Sequence, residues 1–131
     1  MKKLSSQPVI KELVERFQNK FVIKTESENK FCFDEAYYQP DLVLWDKDEK
    51  TIKAIIEVEQ GTRKHVVGGA ITADYCMMRL KQSPIMIILA LTEQDKKDYH
   101  KRENLLKEYM KHIKKIFVGD IDQVIKIIGN I

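Results

Sequence analysis

The stretch Pro40-Asp41-Leu42-Val43-Leu44-Trp45, then Asp46-Lys47-Asp48-Glu49-Lys50, then Thr51-Ile52-Lys53-Ala54-Ile55-Ile56-Glu57-Val58-Glu59, decides the fold. Its two flanks are rich in β-branched and large apolar residues, and the middle has the composition of a turn, so the stretch predicts a β-hairpin. Strict alternation in the second strand would put Ile52, Ala54, Ile56 and Val58 on one face and Lys53, Ile55, Glu57 and Glu59 on the other. Glu57 and Glu59 then share a face, about 7 Å apart along the strand. Asp41 opens the first strand, and an antiparallel hairpin of this length sets that opening beside the end of the second.

Towards the N-terminus, Val9, Ile10, Leu13, Val14 and Phe17 recur at helical spacing, with Ser6 as cap and Pro8 in the first turn. Between this helix and the hairpin, Phe21–Lys24 and Lys30–Phe33 predict one or two short strands around a polar turn. Beyond the hairpin, Gly61 ends the strand and Val66–Met78 predicts a buried helix of small residues. Gly68 and Gly69 each cost that helix about 1 kcal/mol relative to alanine, which close packing of helix on sheet would account for. Ile85–Leu91 is a continuous apolar strand of the kind covered on both faces. Lys96–Ile113 predicts an amphipathic helix, Ile116–Val118 a short strand, and Asp122–Ile128 a closing helix capped by Asp120. The order αβββαβαβα is that of an α/β domain spanning residues 1–131, a central mixed β-sheet flanked by helices.

Composition narrows the classes. A chain of 131 residues, 44% hydrophobic and 33% charged, is one ordinary globular domain. No apolar run approaches the roughly 20 residues that span a bilayer, and the opening MKKLSSQPVIKE lacks the apolar core of a secretory signal, so a cytoplasmic protein without a membrane partner is expected. Cys32 and Cys76, without C-x-x-C spacing, read as free buried thiols in a reducing compartment and argue against zinc. The net charge of +3 is mild, but it is unevenly spread: Glu26–Glu59 holds ten acids against four lysines, and Lys96–Lys115 holds eight bases against three acids. Such a division suits a cation site beside a surface for a polyanion, and equally two solvated faces of opposite sign.

Three converging carboxylates are what a hard cation such as Mg²⁺ or Mn²⁺ takes as ligands, and the chemistry that follows is phosphodiester hydrolysis. Pro40-Asp41, followed by Glu57-Val58-Glu59 on the next strand, resembles the PD-(D/E)xK nuclease superfamily, to which restriction endonucleases and Holliday-junction resolvases belong. The resemblance covers roughly residues 21–91. It implies a restriction-endonuclease-like core, a metal-dependent endonuclease acting on DNA, and Asp41, Glu57 and Glu59 as catalytic and metal-binding residues. Glu59 stands where the family usually has lysine, as in the minority that carry E-x-E. That departure leaves two readings: an active E-x-E enzyme, or an inactive relative that binds DNA or protein. Lys53 lies too far along its strand to replace the lysine, and Lys64 is the nearer candidate.

Gln60 is placed to orient substrate or water, and Arg63 and Lys64 at the start of the next helix would seat a phosphate. Glu12 or Glu15 on the first helix would be an alternative source of a further ligand, against a plain surface role. Tyr37-Tyr38 suits either base stacking or packing. The small domain offers little surface for gripping a duplex, so a homodimer is expected.

Overall fold

A computed structural model of the chain describes residues 6–34, 36–60 and 63–131, with side chains from residue 65 onwards in the last span. The elements run α1 (Gln7–Phe17), β1 (Val22–Thr25), a single 3-10 turn (Glu26–Glu28), β2 (Phe31–Phe33), β3 (Ala36–Tyr38), β4 (Leu42–Trp45), β5 (Ile52–Glu59), α2 (Arg63–Leu80), β6 (Ile85–Ala90), α3 (Glu93–Tyr109), β7 (Lys115–Gly119) and α4 (Ile121–Gly129). The main sheet has five strands in the order β1-β4-β5-β6-β7. The β1–β4 and β4–β5 pairs are antiparallel, while β5–β6 and β6–β7 are parallel, so the sheet is mixed. The expected hairpin is therefore the antiparallel half of the sheet, and β5 is its central strand.

Two apolar layers sandwich this sheet. One face carries Val43, Ile55, Met86 and Ile88 against Val66, Ala70, Ala73 and Met77 of α2 and Tyr99 and Leu106 of α3. The other carries Leu42, Leu44, Ala54, Ile56, Ile87 and Leu89 against Leu13 of α1 and Val124 and Ile128 of α4. β6 is buried along its whole length because helices cover both its faces, which is why it reads as an unbroken apolar run. Among the described residues, no helix is long and apolar enough to cross a membrane.

Several expectations need correction. Lys30–Phe33 does not join the main sheet: β2 pairs with β3 as a separate antiparallel ribbon, Phe31 opposite Tyr38. Phe31 and Phe33 pack inward on the α2 side, which turns Cys32 outward, so only Cys76 is a buried thiol. Strict alternation also fails at the start of β5. The register shifts from Leu44↔Ala54 to Trp45↔Ile52, so Lys53 is the extra residue of a bulge and Ile52 joins the same layer as Ile55.

Ser6 occupies the cap position of α1 without a side-chain cap bond, whereas Asp120 and Gln123 form a full capping box on α4. α3 starts three residues earlier than its apolar pattern, at the Thr92 cap, and stops at Tyr109. The following turn is held by Asp74 of α2, whose Oδ1 accepts the N–H groups of Lys111, His112 and Ile113 at 3.1, 2.7 and 2.8 Å. Gly68 does not serve helix-on-sheet packing, and Gly69 faces the sheet at ordinary contact distance. A Cβ on Gly68 would meet nothing within 4 Å, and one on Gly69 would meet only Glu57 Oε2, at 3.7 Å.

Candidate functional site

Asp41 immediately precedes β4, and Glu57 and Glu59 close β5, so all three stand at one end of the sheet. One step beyond the Leu42↔Ile56 pair sets Asp41 opposite Glu57. The two residues are interlocked there: the Asp41 N–H donates to Glu57 Oε1 at 3.0 Å, and the Val58 N–H donates to Asp41 Oδ2 at 2.8 Å. Each carboxylate thus continues the strand ladder through one oxygen. Alternation from Val43 and Ile55 aims Asp41, Glu57 and Glu59 at the face covered by α2 and α3.

This packing raises the carboxyls. Burial, and then the charge of Asp41, push Glu57 up to about 8. Burial and the Asp41 charge likewise push Glu59 up to about 7. Asp41 is raised by burial and held back by the Val58 N–H, with the Glu26 carboxyl adding to the rise. No ion pair among the described residues involves any of the three acids. A group of negative charges without a counter-charge is costly in partial burial, and a cation would relieve it. As the side chains stand, however, no three His, Cys, Asp or Glu groups among the described residues converge closely enough to enclose an ion.

Gln60 follows directly on β5 and is partly buried. The side chains of Arg63 and Lys64, expected to meet phosphate, lie outside the described residues, as does the test of Lys64 as a stand-in for the family lysine; the backbone of both lies in the first turn of α2. His65 is exposed. Glu12 and Glu15 belong to α1, which covers the opposite face of the sheet, and Glu12 pairs with Arg16 at 3.7 Å.

The sequence patterns do not reveal that three further residues neighbour the acids. Tyr38 is 5% exposed, and its hydroxyl faces the Glu57 carboxyl. Burial and the Glu57 charge hold that phenol well above its ordinary pKa. Tyr37, by contrast, is 55% exposed and donates to Gln39 Oε1 at 2.9 Å, so the adjacent tyrosines divide between packing and surface. Tyr99 of α3 is fully buried within the field of Glu59. Glu26, on the turn after β1, reaches the Asp41 carboxyl. Only the β1–β4 register could have revealed it, because Glu26 belongs to no motif.

No family model, curated protein or solved structure significantly matches this chain.

Proposed function

We propose that the chain is a divalent-metal-dependent nuclease of PD-(D/E)xK type, with a restriction-endonuclease-like core, that hydrolyses phosphodiester bonds in DNA. The observation that carries this reading is the reciprocal lock of Asp41 and Glu57 across β4 and β5, with Glu59 on the same face of the sheet. The donor type suits Mg²⁺ or Mn²⁺, being all oxygen with each of the first two acids oriented by a backbone N–H, and binding would require the side chains to draw closer together than they stand. Asp41 and Glu57 would hold the ion and Glu59 would complete the set.

When bound, the metal supplies Lewis-acid polarisation of the phosphoryl oxygen and a more acidic water. The protein's own part is orientation. The Val58 and Asp41 amides fix one oxygen of each acid, and α2 and α3 keep bulk water from the inner side. Glu59, two residues on from Glu57 along the strand, would take a proton from the attacking water. Gln60, Arg63 and Lys64 would orient the phosphate, and a homodimer would give the site enough surface to grip a duplex. The protein would work in the cytoplasm.

The direct test is cleavage of plasmid DNA with Mg²⁺ or Mn²⁺, comparing the wild type with Asp41→Asn and Glu57→Gln. Both variants should be folded and inactive, and undiminished cleavage by either one would remove the site assignment. A second reading, a nuclease-like domain that only binds DNA or protein, is favoured by the glutamate in the lysine position. Tight DNA binding without cleavage in either metal would select it.

A further inference from the structure

Four of the five exposed large apolar side chains among the described residues gather on one surface. Ile71 and Met78 of α2 are 54% and 41% exposed, and Leu105 and Tyr109 of α3 are 41% and 68% exposed. Ile71, Asp74 and Met78 follow one another at spacings of three and four, so they share a stripe of α2. Asp74 holds the turn that follows Tyr109, which sets this stripe beside the C-terminal end of α3. Glu103 of α3 reaches the other way, its Oε1 accepting the Val118 N–H of the edge strand β7 at 2.9 Å. Leu105 lies about 200° round the helix from Glu103, and Tyr109 stands one turn beyond it, so both lie on the side towards α2.

The two helices therefore share an apolar outer surface, while Tyr99 and Leu106 fill the inner side against the sheet. Single apolar side chains on a surface are ordinary, but a contiguous group of them marks a contact surface.

The charges around the patch say what covers it. From Leu105 towards the start of α3 come Arg102 and Lys101, then Asp98; in the other direction come Glu108 and, just past the helix, Lys111. The signs are opposite at matching distances. Laid antiparallel on α3 of a second copy, with the two Leu105 side chains in contact, α3 brings Lys101 and Arg102 opposite Glu108 of the second copy and Asp98 opposite Lys111 of the second copy. No ion pair among the described residues involves any of these five. A twofold axis makes each pairing twice, and the pattern is self-complementary in the way that such an axis requires.

We infer that this α2–α3 face is the contact surface of a homodimer, in which two copies pair antiparallel through α3 about Leu105. It gives the homodimer of the reading above its surface and rests on that part of the reading alone. Glu59 pairs with Ala90 at the end of β6, and α3 begins close by at Glu93. Leu105 lies about 18 Å further along that helix, so the acid end of each copy stays clear of the contact.

Sedimentation equilibrium over a concentration series tests it, with thermal melting followed by circular dichroism to show that each variant is folded. The wild type should reach twice the monomer mass of 15.4 kDa. Leu105→Glu should weaken the dimer by about thirtyfold or more, the size of losing a central contact. Tyr37→Ser, which alters the exposed large apolar residue that lies off the patch, should leave the dimer unchanged. Glu108→Lys should weaken it by setting like charges opposite one another, and so should Lys101→Glu with Arg102→Glu; the three reversals together should restore it. A wild type that is monomeric throughout, or a dimer that survives Leu105→Glu, overturns the inference. Failure of the triple reversal to restore the dimer overturns the antiparallel pairing. The nuclease reading is read separately: a dimer that cleaves no DNA leaves this surface standing, and a monomer that cleaves leaves the metal site standing.

Discussion

Glu57→Gln offers a stability measurement that reads the site without any substrate. The Glu57 carboxyl is raised from an ordinary 4.5 to about 8 by burial and by Asp41. An acid whose folded pKa lies above its unfolded one binds more protons when folded, so stability is fullest below about 4.5 and declines as pH rises towards 8. At pH 7 the folded carboxyl is still largely protonated while the unfolded one is ionised. That gap of about 2.5 pH units corresponds to about 3 kcal/mol. The partial exposure of Glu57 trims this to about 2 kcal/mol. Glutamine keeps the shape and the Oε1 acceptor for the Asp41 N–H but carries no charge. In EDTA at pH 7, Glu57→Gln should therefore be more stable than the wild type by about 2–3 kcal/mol, the difference vanishing near pH 4.5. Urea unfolding followed by far-ultraviolet circular dichroism at half-unit pH steps from 4.5 to 8.5 supplies the curves. Addition of Mn²⁺ should then stabilise the wild type and leave the variant where it was. A wild-type stability that is flat from pH 5 to 8, or a variant less stable at pH 7, would refute the claim that burial and the Asp41 charge raise the carboxyl at position 57.

Asp41→Asn should keep the fold, because the amide oxygen still accepts the Val58 N–H, yet lose divalent-dependent DNA cleavage in a gel assay. Glu59→Lys restores the residue the resembled family usually carries and should retain Mg²⁺-dependent cleavage; complete loss would make Glu59 an obligatory ligand. Asp74→Ala strands three backbone N–H groups and should cost about 2 kcal/mol in urea unfolding, while a loss below about 0.5 kcal/mol would mean water replaces the carboxylate freely. Gly68→Ala meets open space in mid-helix and should stabilise the protein by about 0.5–1 kcal/mol, read as a raised melting temperature.

The sequence alone determined the elements whose periodicity is long or whose composition is extreme. The hairpin of β4 and β5, the covered strand β6 and the helices α1 to α4 all follow from residue patterns, because burial of one face or of both leaves a regular trace. It also placed Asp41, Glu57 and Glu59 at one end of the sheet, since a hairpin is a local structure and its register follows from the turn between its strands. What only the tertiary structure decided is non-local. The bulge at Lys53, the outward turn of Cys32 and the separate β2–β3 ribbon depend on which partner each short strand meets, and three- or four-residue strands carry too little pattern to say. Glu26, Tyr38 and Gly69 lie 31, 19 and 12 residues from Glu57 in the chain and share no motif with it. Their approach to the acids is set by the β1–β4 register, by the ribbon packed on α2, and by the helix laid across the sheet. These contacts close between distant parts of the chain, so no local residue pattern encodes them.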